Sequence, residues 1–216
     1  MKKLFILLLV TLNCFSSHHV QAVSCGNDYD YILFDLDRTL LDFDASEDHA
    51  LNKIHAQYFN HMKKEEFVDV FHDINSKCWA LLEAGKYTLQ DIRKNRFQIV
   101  LDQLALKNLD STQIAKDYEK YLAEKAEWLP ETKEYFFFFA NDYNSSIITN
   151  GYQAVQGTRI NKAGIQDSVD HVFTSEYIGH SKPSPLYFEY VFNKLKIDPQ
   201  KAKILIVGDS LSSDYQ

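Results

Sequence analysis

Asp35 and Asp37 stand two residues apart in the run Asp35-Leu36-Asp37-Arg38-Thr39-Leu40, directly after the apolar stretch Tyr31-Ile32-Leu33-Phe34. Four apolar residues that end on an acid read as a buried parallel strand with carboxylates at its carboxyl end. Two acids placed there can turn into one cleft, and burying them without partners is costly. A divalent cation removes that cost, and hard oxygen donors suit magnesium. For this motif by itself, a solvated acid pair in a surface turn is the plain alternative.

Three more stretches carry groups suited to an anion or a cation. Ile147-Ile148-Thr149-Asn150-Gly151 places a hydroxyl and an amide after an apolar run, with a glycine that permits close backbone approach. Ser181-Lys182-Pro183-Ser184-Pro185 sets an ammonium just ahead of a helix start, whose own positive end adds to it. Gly208-Asp209-Ser210-Leu211-Ser212-Ser213-Asp214 supplies two more acids after the apolar Lys203–Val207 stretch. The alternatives are an Asn-Gly turn, an exposed lysine in a proline turn and a helix cap at Asp209 or Ser210. Alone each signal is modest; order and placement at strand ends join them.

The elements between them follow from periodicity. From about Ser46 to Lys125 the apolar residues fall at helical spacing, as in Leu51, Ile54 and Tyr58 or Phe97, Val100, Leu101 and Leu104, with no proline. Four or five helices are expected there, with Thr88 and Ser111-Thr112 as starts. After Pro130 strands and helices alternate. Helices are expected over Glu131–Tyr143, Ala154–Ala163 (stopped by Gly164) and Pro183–Leu195. Strands are expected over Ser145–Thr149, Val169–Thr174 and Lys203–Val207. The run Phe136–Phe139 is read as a buried helix face. Alternation of this kind predicts an α/β fold with a doubly wound parallel sheet, whose chemistry sits at the carboxyl ends of the strands. The core is expected over 23–44 and 129–216, with an all-helical insertion over 45–128.

Together the four motifs resemble those of the haloacid dehalogenase (HAD) superfamily, and the helical insertion after the first resembles that superfamily's type 1 cap. Residues 34–43, the stretch 78–86, Asn95-Arg96-Phe97, Thr149-Asn150-Gly151 and Ser175-Glu176 are similar to the house-cleaning pyrimidine 5′-nucleotidase branch. The resemblance implies a HAD-like Rossmannoid core and a Mg2+-dependent phosphatase. It implies Asp35 as nucleophile and Asp37 as general acid and base. Magnesium would be held by Asp35, the Asp37 carbonyl, Asp209 and Asp214, and phosphoryl oxygens by Thr149, Asn150 and Lys182. The implied substrate is a small phosphorylated molecule, a nucleoside monophosphate. Relatives of this kind continue past Asp214 with a helix and a further strand, so the edge beside Lys203–Val207 is expected to stand open. Trp79 in the insertion either packs between helices, the default for a tryptophan, or stacks on a nucleobase.

Composition bounds the rest. The 216 residues are 45% hydrophobic and 25% charged, which is globular usage, and the formal charge of −7 argues against a nucleic-acid partner. Residues 1–22 carry Lys2 and Lys3, an apolar run from Leu4 to Leu12 and a small-residue end at Ala22. That layout is a secretory signal peptide, which predicts an exported protein with no membrane span once the segment is removed. A lipid anchor at Cys25 or an uncleaved amino-terminal anchor are the alternatives. Export would permit a Cys25–Cys78 disulfide, with two separate thiols the default. His49, His55, His61 and His72 match no metal spacing and are read as surface residues.

Overall fold

The computed structural model describes residues 29–214 and the backbone of Phe5–Leu7. Five parallel strands form one sheet in the order β1-β5-β2-β3-β4. They are β1 (Phe5–Leu7), β2 (Tyr31–Phe34), β3 (Asn144–Thr149), β4 (His171–Thr174) and β5 (Ile204–Val207). Successive side chains of a strand point to opposite faces. Ile32, Phe34, Leu205 and Val207 therefore meet Phe136, Ile160 and Ala163 on one face. Leu33, Ile204 and Ile206 meet Tyr187 and Val191 on the other. Both faces of β2 are buried, which is why it reads as an unbroken apolar run.

Between β2 and β3 the chain forms α1 (Phe43–Tyr58), α2 (Lys64–Glu83), α3 (Leu89–Gln103), α4 (Ser111–Leu122) and α5 (Thr132–Asp142). The first four make a separate apolar cluster, with Phe67, Phe71, Ile92, Phe97 and Ile114 at its centre and Tyr152 and Val155 from the sheet domain joining it. Asp42 caps α1 through Ala45 N, and Thr88 caps α3 in a reciprocal box with Asp91. The chain enters and leaves this insertion side by side: Asp42 N donates to Glu127 O at 2.8 Å and Leu129 N to Leu40 O at 2.9 Å. After β3 come α6 (Gln153–Ala163), α7 (Ser175–Ile178) and α8 (Pro185–Leu195). Gly164 ends α6 at φ 72°, in the left-handed region a glycine enters without strain.

Three expectations change. The edge of β5 is not open: Phe5, Ile6 and Leu7 pair with Leu205, Ile206 and Val207, so free backbone groups of the edge are satisfied from the amino end. The rest of the expected signal segment, and Cys25 with any anchor or disulfide it makes, lie outside the described residues; among the described residues Cys78 is a buried free thiol. The four phenylalanines do not share a face. Four consecutive residues sweep most of a helix circumference, so Phe136 is buried and Phe138 is 50% exposed. His61 and His72 are exposed as expected, but His49 and His55 are partly covered and bond to Glu124 and the Met62 carbonyl.

Candidate active site

The carboxyl ends of β2, β3 and β5 converge on one cleft. Asp35 N donates to Val207 O at 2.8 Å, which carries the ladder one residue past β2 and fixes the start of the loop. The loop then closes tightly: the amides of Leu40 and Leu41 both donate to Leu36 O at 2.9 Å, and Arg38 takes a left-handed φ of 58°. Thr39 Oγ1 donates to Asp35 Oδ2 at 3.1 Å. Asp35 is thus held from both sides.

Lys182 binds this acid to a second one. Its Nζ lies 2.6 Å from Asp35 Oδ1 and 2.6 Å from Asp214 Oδ1, and 3.3 Å from the Ile148 carbonyl, with the lysine 1% exposed. Burial pushes the Asp35 carboxyl up to about 7, with Asp214 and Asp37 adding to the rise and Lys182 opposing it. Burial likewise raises Asp209 above the ordinary carboxylate range, and Asp214 reinforces it. Carboxylate oxygens of Asp35, Asp209 and Asp214 lie within 4.8 Å of one another. Three hard oxygen donors crowded around one point are a donor set that fits magnesium.

Asp37 sits apart from that cluster. Its carboxylate is ion-paired to Arg159, which is fully buried, and accepts from Gln156 Nε2 at 2.6 Å. Each of its carboxylate oxygens thus has a protein partner. Gln156 also donates to Thr149 Oγ1 at 2.9 Å, so α6 ties the first motif to the second. Asn150 is committed to the third: its Nδ2 donates to Lys182 O at 2.9 Å, and its Oδ1 accepts from Lys182 N at 2.8 Å and Ser175 Oγ at 2.7 Å. The amide expected to face a phosphate therefore positions the lysine and keeps one N–H to offer. Trp79 is partly buried against the insertion's core and also lines the cleft.

Gln156 and Arg159 were not singled out in the sequence, yet the signal was there. They share one buried face of α6 with Ile160 and Ala163, and polar residues on an otherwise apolar stripe need a partner. The cleft widens between the sheet and the insertion into a cavity of about 790 Å3. Its lining includes Asp35, Asp37, Lys182 and Asp209 from the sheet side and Asn75, Trp79 and Arg96 from the insertion.

Residues 32–216 match the family model described as haloacid dehalogenase-like hydrolase. The chain belongs to that family. It is 31% identical over 195 residues to the pyrimidine 5′-nucleotidase PynA of Streptococcus pneumoniae, covering 87% of this chain and 78% of that protein. It is 27% identical over 186 residues to the pyrimidine 5′-nucleotidase YjjG of Escherichia coli, covering 86% of this chain and 80% of the relative. Among solved structures it resembles the magnesium-bound HAD-hydrolase YfnB of Bacillus subtilis. There the TM-score is 0.78 at 29% identity, over 86% of this chain and 82% of that one. The fold is also that of the L-2-haloacid dehalogenase of Xanthobacter autotrophicus, at TM-score 0.60 and 20% identity over 82% and 69% of the two chains. No helix among the described residues is long and apolar enough to cross a membrane.

Proposed function

We propose that this hydrolase is a magnesium-dependent phosphatase of pyrimidine nucleoside 5′-monophosphates that works through an aspartyl-phosphate on Asp35. The observation that carries the reading is Lys182 bridging Asp35 and Asp214, with Asp209 beside them. A nucleophilic carboxylate, a cation site and a fixed ammonium meet at one point, with Asp35, Asp214 and Lys182 buried and Asp209 on its exposed side. Relatives named pyrimidine 5′-nucleotidase support the substrate class.

An Asp35 oxygen attacks phosphorus and the ester P–O bond breaks, leaving the phosphoryl group on the carboxylate. Asp37 donates a proton to the departing 5′-oxygen, then takes one from the water that cleaves the aspartyl-phosphate and returns Asp35 with free phosphate. Lys182, the Thr149 hydroxyl and the remaining Asn150 N–H neutralise the phosphoryl oxygens. Asp35, Asp209, Asp214 and the Asp37 carbonyl would hold Mg2+, which supplies charge neutralisation between the anionic nucleophile and the phosphate. The four-helix insertion acts as the cap that closes over the substrate and excludes water. The segment 1–22 directs export, and the protein acts outside the cytoplasm; cleavage of the segment would take β1 with it and leave the β5 edge open in the exported form.

Dehalogenation of a haloacid needs no proton for its halide leaving group, so Asp37 with its Arg159 and Gln156 partners favours phosphate ester chemistry over it. A phosphatase for sugar phosphates or phosphoglycolate is the second reading. It draws on two glyceraldehyde 3-phosphate phosphatases that match 33% of the chain. An exported protein that keeps the fold without turnover is the third. Phosphate release with and without magnesium, across dUMP, UMP, dTMP, purine monophosphates, sugar phosphates and phosphoglycolate, separates the three. Preference for the pyrimidine nucleotides supports the proposal, preference for another ester keeps the chemistry and replaces the substrate, and no release selects the third.

A further inference from the structure

The insertion holds a buried polar chain that the phosphate chemistry does not use. Glu47 on α1, Asn75 on α2, Arg96 on α3 and Tyr118 on α4 are 6%, 8%, 2% and 1% exposed, and all four reach the wall of the cavity. Arg96 Nη1 donates to Asn75 Oδ1 at 2.9 Å. Asn75 Nδ2 donates to Glu47 Oε1 at 3.2 Å, and Tyr118 Oη to the same oxygen at 3.0 Å. The guanidinium lies over the rings of Tyr118, Phe97 and Phe71 at 4.5, 5.3 and 5.4 Å, and its Nε and Nη2 have no hydrogen-bond partner among the described residues.

Stability does not account for this. Apolar residues of the same volume would pack the four helices at least as well, and a buried cation with orphaned donors is costly. What the arrangement achieves is one amide with a fixed direction. Arg96 can only donate and an ionised Glu47 can only accept, so the first takes the Asn75 oxygen and the second its nitrogen, and the amide cannot flip. An amide has two N–H groups and two lone pairs, so Asn75 keeps one of each. One free N–H and one free lone pair on a single amide match the mixed donor and acceptor groups on the N3 edge of a pyrimidine. There a carbonyl adjoins N3–H in uracil and thymine, and N3 adjoins the amino group in cytosine. Arg96 and Glu47 offset each other in charge, which suits a neutral ring better than a second anion.

We infer that Asn75, oriented by Arg96 and Glu47, reads the N3 edge of the base while the 5′-phosphate of the same molecule lies at Asp35. The inference rests on the nucleotidase reading above, and two measurements separate their fates. The first is binding of deoxyuridine, which carries no phosphate, by isothermal titration calorimetry. The second is the ratio of kcat/KM for dUMP to that for 2-deoxyribose 5-phosphate. In Asn75→Ala and the near-isosteric Asn75→Asp, both checked for folding by circular dichroism, deoxyuridine binding is lost and the ratio falls about tenfold or more, mainly through KM. Arg96→Met lowers the same ratio, and Arg96→Lys, which returns a donor to the Asn75 oxygen, recovers part of it. A wild-type preference for dUMP that survives Asn75→Ala within twofold overturns the base site and leaves the nucleotidase intact. A wild type that treats both esters alike overturns both. Deoxyuridine binding that depends on Asn75 in a protein that hydrolyses neither ester overturns the chemistry and keeps the base site.

Discussion

Arg159 and Asp37 form an ion pair in which the guanidinium is fully buried and the carboxylate is 24% exposed. The same guanidinium donates from Nε to the Lys125 carbonyl at 3.2 Å and from Nη2 to Ser46 Oγ at 3.3 Å. Ser46 lies in the first turn of α1 and Lys125 just past the end of α4, so one side chain joins the proposed general acid to both ends of the insertion. Arg159→Met is expected to cost about 3 kcal/mol of unfolding free energy in urea, since it leaves Asp37 without its cation. It should also lower kcat. A variant that keeps full turnover would remove Arg159 from any part in placing the acid.

Asp35→Asn should separate activity from stability. The carboxylate is disfavoured by burial and by Asp214, and Lys182 keeps Asp214 as a partner after the change. Phosphate release is expected to drop to under a few per cent of wild type, while the melting temperature of the metal-free protein does not fall. Activity retained above that level refutes the nucleophile assignment.

Chelation by EDTA is expected to stop turnover, and added magnesium to restore it. Magnesium at about a hundred times its dissociation constant should also raise unfolding free energy by about 2.7 kcal/mol in Asp35→Asn's wild-type parent. Asp209→Asn should reduce that gain. A thermal shift that magnesium does not change counts against the carboxylate site.

Gly208→Ala is expected to disrupt both the fold and the site. A Cβ there would lie 2.3 Å from Asp214 Oδ2 and 2.4 Å from its Cγ, and Asp214 is only 4% exposed. The acid must shift, which disturbs its ion pair with Lys182, at a cost of about 2 kcal/mol. Equilibrium unfolding reads the loss, and magnesium titration reads the displaced carboxylate.

One contact inside the insertion has a defined pH signature. Tyr58 Oη on α1 donates to Asp117 Oδ2 on α4, and that hydrogen bond holds the Asp117 carboxyl below its ordinary value of 3.8. A depressed folded-state pKa gives stability that is fully present above 3.8 and lost as pH falls through the folded value. Tyr58→Phe should therefore cost about 1 kcal/mol near neutral pH, and the difference from wild type should shrink below pH 3.8. A difference that stays constant through acid would assign the effect to packing.

β2 and β5 were legible in the chain because each is an unbroken apolar run just ahead of an acid-bearing loop, whereas β3 and β4 hold two apolar residues each and were placed by the alternation of strands with helices. The insertion was legible as helices from its apolar spacing, but not its polar interior. Glu47, Asn75 and Arg96 lie about 20 to 30 positions apart in sequence, and no local period links residues whose only relation is a shared helix-bundle core. Asn150 shows a different gap. Its type suited a phosphate, but whether an amide faces a ligand or a neighbouring backbone depends on where Lys182 is placed by a loop thirty-two positions on. Pairing of Phe5–Leu7 with β5 was hidden because an apolar run near the amino end fits an export signal and an edge strand equally.

Lys182 gives the site an internal counter-ion. Its ammonium draws Asp35 and Asp214 together without help from solution. Two acids that would otherwise push the cleft apart are therefore already gathered when the chain finishes folding. Maturation can then run in either order, with the polypeptide made first and its metal acquired later. On the magnesium-dependent reading proposed above, a pool of the protein starved of the ion would be idle and intact, ready to work as soon as it returns.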